Sequence, residues 1–216
     1  VCLITPLLPL IDPDETDLAV RLETPFNAKH WLGTDELGRD LLSRLLWGTR
    51  VSLAVGFAAT FAAALIGSTI GLVSGYFGGR IDSLLMRLID TIWAFPYLLL
   101  ALAIVAAFGP GLLNALMAIA IVNIPFFART VRGTTITLTN REFVMAARTS
   151  GAGHLDILFR ELLPNVLPVI VVTISTTAGW MILETAGLSF LGLGAQPPTA
   201  DLGSMLGEGR KVLFTA

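Results

Sequence analysis

An all-α bundle of membrane-spanning helices is the fold class this sequence predicts, and three observations predict it. Hydrophobic residues make up 54% of the chain and charged residues 14%. The apolar residues stand in blocks rather than recurring periodically: 51–77, 91–128 and 166–183 carry no charge. A span needs about 20 mainly apolar residues to cross a hydrocarbon core about 30 Å thick, and these blocks are of that scale. Between the last two blocks lies a polar stretch with helical spacing, Asn140–Pro164, too long merely to reconnect two spans.

Taken in order, Val1–Ile11 is apolar but too short to cross and reads as the end of a first transmembrane helix that begins upstream. Residues 12–50 read as an extracytoplasmic loop. Within it, Asp35-Glu36-Leu37-Gly38-Arg39-Asp40 predicts a helix start with acids near the positive end of the helix dipole. Leu41, Leu42, Leu45 and Leu46 supply its apolar face, and Trp47 suits a membrane interface. The expectation is an amphipathic helix on the outer surface, leading into a transmembrane domain over 51–216. Its spans are expected at roughly 51–77, 86–108, 111–130 and 166–187, with a turn at Phe108-Gly109-Pro110-Gly111. Pro96 and Pro125 are expected to kink the spans that hold them, because each removes a backbone hydrogen bond. Gly67, Ser68 and Gly71 are small residues that let membrane helices approach closely.

Orientation follows from basic residues near span ends. Arg129, Arg132, Arg141, Arg148 and Arg160 lie between 129 and 161, which places that loop in the cytoplasm. Arg80 and Arg87 mark a second cytoplasmic turn. Asp12, Asp14, Glu15, Asp17 and Glu23 suit the outside, whereas Arg39, Arg44 and Arg50 run against that side.

In the Asn140–Pro164 loop, apolar residues recur at Phe143, Met145 and Ala146, then at Leu155, Leu158, Phe159 and Leu162. The spacing predicts helix, turn, short helix. Gly151 and Gly153 make the turn, and Pro164 ends the second helix. Such a pair beside a membrane is a docking element. Ionisable residues near spans are the other candidates, since burying a charge in hydrocarbon disfavours insertion. Arg87 and Asp90, three apart on one helix, are expected to pair. Glu184 has no cation within a helical turn; it either fixes the Leu188–Gly194 segment or touches the transport path.

Several functions are excluded. No G-x-x-x-x-G-K-[ST] phosphate cradle occurs, and His30 and His154, the two histidines, fall on opposite sides of the membrane. The lone Cys2 supports no disulfide framework or metal cluster. This chain is therefore expected to be no enzyme, to hold no cofactor or metal, and to bind no nucleic acid. Its surroundings are membrane lipid, and its energy comes from another subunit.

The Asn140–Pro164 segment resembles the EAA loop of ABC-transporter inner-membrane permeases, whose pattern is Glu-Ala-Ala, three residues, Gly, nine residues, Ile, one residue, Leu-Pro. Ala146, Ala147, Gly151, Leu163 and Pro164 match it; Met145 replaces the Glu and Glu161 the Ile. His30–Leu53, Asp90–Ala101 and Glu184–Leu206 resemble the dipeptide, oligopeptide and nickel importers, more narrowly the second of their two permeases. The resemblance implies a type I ABC importer permease fold in a bacterial or archaeal inner membrane, with a further hydrophobic helix expected after the Gly203–Arg210 region. It also implies a homologous permease partner, two ATPase subunits that use ATP and Mg, and an extracytoplasmic substrate-binding protein. It assigns ATPase coupling to 140–164, with Ala146, Ala147, Arg148, Gly151, Gly153, His154, Asp156, Leu163 and Pro164 as the residues concerned. Peptides are the expected cargo. Nickel or another small solute, and an ion-gradient-driven carrier using Glu184 and Asp90, are the alternatives.

Overall fold

The computed structural model describes residues 5–27 and 29–212, all of whose long elements are helices. Of the expected helix end at 1–11, residues 1–4 lie outside the described residues. The rest holds a single 3-10 turn, Thr5–Leu7.

Helix α1 runs from Leu41 to Phe77 without interruption. It starts where Asp40 accepts a hydrogen bond from the Ser43 amide at 2.8 Å, a side-chain cap on otherwise unsatisfied donors. The amphipathic helix expected from Asp35 is thus not a separate element. Asp35 instead closes a turn, accepting from the amides of Leu37 at 2.8 Å and Arg39 at 3.0 Å, so its carboxylate competes with helix formation. Leu41, Leu42, Leu45 and Leu46 belong to the first turns of α1.

Helices α2 (Gly79–Trp93) and α3 (Tyr97–Phe108) stand where one span over 86–108 was expected. They are bent by 87° about the break that holds Pro96. Proline supplies no amide and also disfavours helical backbone in the residue before it, so the helix ends there. By contrast α4 (Leu112–Thr139) carries Pro125 inside one continuous helix.

Helix α5 (Glu142–Thr149) is followed by α6 (His154–Asp156), which passes through a π-helical stretch, Ile157–Leu162, into α7 (Leu163–Phe190). The expected stop at Pro164 does not occur; His154–Phe190 is one helical run. The reason lies in the π turn, where the Leu163 amide bonds back five residues to Leu158 O. That wider turn precedes the position at which a proline would otherwise oppose the carbonyl four residues back. Helix α8 (Leu202–Val212) ends the described chain. Among the described residues, helices α1, α4 and the α6–α7 run are each long and apolar enough to cross a membrane, and the α2–α3 pair, bent by 87°, is apolar enough only when its two helices are taken together.

The chain forms two compact units. One comprises Val1–Phe57, Leu102–Leu116 and Met181–Ala216; the other comprises Ala58–Ala101 and Met117–Trp180. The first unit is organised by buried charge. Arg39, which counted against an outside location, donates to Asp35 at 2.6 Å and to Glu208 at 3.0 Å, and Arg44 reaches Glu208 at 3.3 Å. Buried guanidinium groups are tolerable only when paired in this way. His30 bonds Asp40 at 3.0 Å. Asp201, fully buried, accepts from Ser52 at 2.5 Å and from the Gly203 amide at the start of α8 at 3.2 Å. Fixed in this way, the 12–40 segment and α8 share one polar framework.

In the second unit α1 lies directly against α4. A Cβ on Gly67 would fall 2.7 Å from Ile124 O and 2.7 Å from Phe127 Cβ. Glycine permits this backbone-to-backbone approach, which suits helices that associate by van der Waals packing. An ion pair clamps the end of the same contact: Arg132 of α4 donates to both carboxylate oxygens of Asp82 on α2, each at 2.6 Å. Ser74 of α1 donates to Asp82 as well. The apolar core of this unit includes Leu72, Val131, Val144, Ile157, Leu162 and Val166. It therefore takes in residues from the polar 140–164 segment itself.

Candidate coupling site

The 140–164 segment is a helix–turn–helix whose shape follows from its local chemistry. Helix α5 begins at Glu142, an acid in the first turn, and ends with Arg148 in the last turn, both favourable for the helix dipole. It closes in a Schellman motif: the Gly151 amide bonds Arg148 O at 3.0 Å and the Ala152 amide bonds Ala147 O at 3.0 Å. Gly151 stands at φ +82, a region that side chains rarely adopt. Gly153 does not share that role. Its φ of −69 and ψ of 161 are open to any residue, and it precedes α6 as the N-cap. The expected joint use of both glycines for the turn is thus corrected to Gly151 alone.

Apolar residues of the segment divide between two faces. Val144, Ile157, Leu158 and Leu162 are buried in the core, with Ile157 only 1% exposed. Ala147 and Leu163 are partly buried and pack against that core. Met145, Leu155 and Phe159 point outward, exposed by 52%, 69% and 60%. Ala146, Arg148, Gly151, Gly153, His154, Asp156 and Pro164 are exposed too. Anchoring is therefore provided by one set of hydrophobic residues and an outward apolar face by another, with Arg148 and an Asp156–Arg160 pair at 3.5 Å beside it. Met145, Leu155 and Phe159 are the exposed large hydrophobic residues of this otherwise polar segment.

The sequence had not marked Tyr76, near the end of α1. Its hydroxyl lies 2.8 Å from His154 Nδ1, and the Arg148 guanidinium lies 5.4 Å from its ring centroid. Tyr76 is buried, and Phe77 stacks against both Tyr76 and His154 with ring centroids 5.0 and 5.6 Å apart. The available signal was an aromatic residue with a polar tip at the end of an uncharged block. Asp82 and Arg132 were equally unmarked as a pair.

The other expected residues lie away from the segment. Asp90 does not pair with Arg87. It accepts from Arg129 of α4 at 2.5 Å, and the same guanidinium covers the Trp93 ring at 3.9 Å. Asp90 and Trp93, three apart on α2, both meet the Arg129 guanidinium of α4. Glu184 is half-buried on α7 and belongs to the first unit. Pro96 lies in the α2–α3 break and Pro125 within α4.

Residues 67–216, which include all of this site, match the family described as binding-protein-dependent transport system inner membrane component. The chain belongs to that family. It is 47% identical over 216 residues to the dipeptide transport system permease protein DppC of Alkalihalophilus pseudofirmus, covering 100% of this chain and 71% of that protein. It is also 47% identical over 196 residues to the glutathione transport system permease protein GsiD of Pectobacterium atrosepticum, covering 91% of this chain and 65% of the relative. The probable D,D-dipeptide transport system permease protein DdpC of Escherichia coli is 44% identical over 210 residues, 97% of this chain and 70% of that protein. Among solved structures, an inward-facing form of the MetNI methionine ABC transporter matches with a TM-score of 0.65 at 20% identity, covering 80% of this chain and 83% of that one. An amino acid ABC transporter with histidines matches with a TM-score of 0.60 at 21% identity over 80% of each chain. These likenesses identify the fold as that of ABC importer permeases. As a member of the family, this chain is a multi-pass inner-membrane protein.

Proposed function

We propose that this permease forms part of the path by which di- or oligopeptides are imported, and that its 140–164 segment docks a cytoplasmic ATPase. The outward set Met145, Leu155 and Phe159 on a core-anchored helix–turn–helix is the observation that carries the docking assignment. Peptide cargo is supported by the names of the relatives, which are dipeptide, glutathione and D,D-dipeptide permeases. The working assembly is a second, homologous permease, two ATPase subunits that consume ATP and Mg, and an extracytoplasmic binding protein. Docked ATPases act on the transport path only if they bind the segment differently in their two states. Because Val144, Ile157 and Leu162 fix the segment to the core that holds α1, α4 and α7, force applied to it reaches those helices together.

The test is co-expression of the full-length permease with its genomic neighbours, followed by purification through a tag on this chain. The ATPase is expected to co-purify with the native protein and to be lost from the Leu155→Glu/Phe159→Glu double variant. No ATPase in either sample, with the two permeases still associated, would overturn the assignment in favour of an ion-driven carrier.

A further inference from the structure

We infer that Tyr76 is a positioning residue that latches the docking segment to α1, so that ATPase movement is passed to α1 through its hydroxyl and ring. This rests on the docking assignment above. A helix–turn–helix docking element transmits a displacement only if the angle between its halves is fixed, and the turn alone does not fix it. The turn consists of Ser150–Gly153, where a Cβ added at Gly151 would meet nothing within 4 Å and one at Gly153 only Asp156 Oδ2 at 3.6 Å. The shared core holds the halves by apolar packing, and Tyr76 adds a directional constraint because it touches both. Its ring faces Arg148 in the last turn of α5, and its hydroxyl meets His154 at the first position of α6. Phe77 stacks on His154 from the same end of α1 and restricts the imidazole. Sequence adjacency routes movement into α4 and α7, the helices that the segment joins, and the shared apolar core reaches α1 through non-directional packing. The Tyr76 contact adds a directional polar link to α1, which the close approach at Gly67 and the Ser74–Asp82–Arg132 clamp hold to α4. Movement of the segment therefore carries α1 and α4 as one body.

An open pocket of about 410 Å³ adjoins the latch, lined by Tyr76, Phe77, Arg148, Ala152, His154 and Ile157. A docked subunit has direct access to the latch from this side.

Tyr76→Phe keeps the ring and removes only the hydroxyl, so folding and the Arg148 contact are preserved. The measurement is peptide taken up per ATP hydrolysed, by the complete transporter in proteoliposomes with saturating binding protein. The expected result is full co-purification of the ATPase and unchanged thermal stability, with uptake per ATP lowered about five- to tenfold, the scale of one lost side-chain hydrogen bond. His154→Leu should match Tyr76→Phe, and the double variant should be no worse than either. His154→Gln, which retains an acceptor for the hydroxyl, should restore most of the coupling. Native coupling in Tyr76→Phe, or additive losses in the double variant, would overturn the latch. Loss of the ATPase from the wild-type preparation would instead strike the docking assignment.

Discussion

Replacing Gly151 with alanine isolates a backbone effect that few positions in this chain offer so cleanly. A Cβ built there meets nothing within 4 Å, so the substitution creates no clash. What it meets is conformation: φ is +82, and the Schellman bonds from Gly151 to Arg148 O and from Ala152 to Ala147 O, each 3.0 Å, need that value. Holding a non-glycine residue there costs on the order of 1–2 kcal/mol. At about 1.4 kcal/mol per factor of ten, the open turn gains roughly five- to thirtyfold in population. The anchoring residues Val144, Ile157 and Leu162 are untouched, so the loss is local. Hydrogen exchange of the detergent-solubilised permease reads it directly. Amides of Ser150–Ala152 should lose protection by that factor in Gly151→Ala and by clearly less in Gly151→Asn, since asparagine tolerates the left-handed region. Core amides of α4 should not change. Equal protection in the alanine variant and the native protein would refute the reasoning, as would equal losses in the alanine and asparagine variants.

Gly67→Val should lower the midpoint of thermal unfolding in detergent, because its Cβ meets Ile124 O at 2.7 Å; overpacking of this kind costs about 1–3 kcal/mol or more. Gly133→Ala, on the same α4 but with nothing within 4 Å, should leave stability equal or raise it by up to about 1 kcal/mol through helix propensity. Asp82→Ala strands Arg132 and Ser74 and is expected to destabilise by about 2–4 kcal/mol in the same assay, since it removes charge-assisted bonds at a partly buried site. Asp90→Ala breaks an ion pair whose side chains are 46% and 57% exposed, and should cost less than about 1 kcal/mol. Asp201→Ala removes the Ser52 bond and the cap of α8 together and should cost about 2–3 kcal/mol. Ser52→Ala loses the bond from the Leu202 amide but leaves those from the Gly203 and Ser204 amides to Asp201; it should cost clearly less, and chemical unfolding of the two variants makes the comparison.

Uncharged blocks made the long helices legible, because burial in hydrocarbon tolerates few charges whatever the neighbours do. Legibility failed where tertiary partners decide. Arg87 and Asp90 satisfy the local pairing rule, yet Arg129, 39 residues away, supplies both an ion pair and a stack on Trp93, which Arg87 does not. Asp35 and Asp40 are equally good helix starters in isolation. Asp40 wins because Asp35 is held by Arg39, and Gly38 at φ +75 breaks the run. Pro164 reads as a stop until the π turn before it is seen, and π turns leave no mark in an apolar pattern. In the 140–164 segment, apolar spacing located two helices but merged two faces, since Leu158 and Phe159 look alike until one is buried and the other is not. The motif residues themselves, Ala146, Ala147, Gly151, Leu163 and Pro164, located the segment without revealing that Tyr76 holds it.

Site-directed cross-linking in membranes tests most directly whether the outward face of this segment receives the ATPase. With Cys2 replaced by serine, single cysteines at Phe159, Leu155 and Met145 are each labelled in the co-expressed transporter with a short reagent that is thiol-reactive at one end and photo-activatable at the other, then irradiated. Leu113→Cys, at the exposed start of α4, serves as the control. Cross-links from the three segment positions to the ATPase, and none from Leu113→Cys, are the predicted result. Cross-linking from Leu113→Cys with none from the segment would contradict the account.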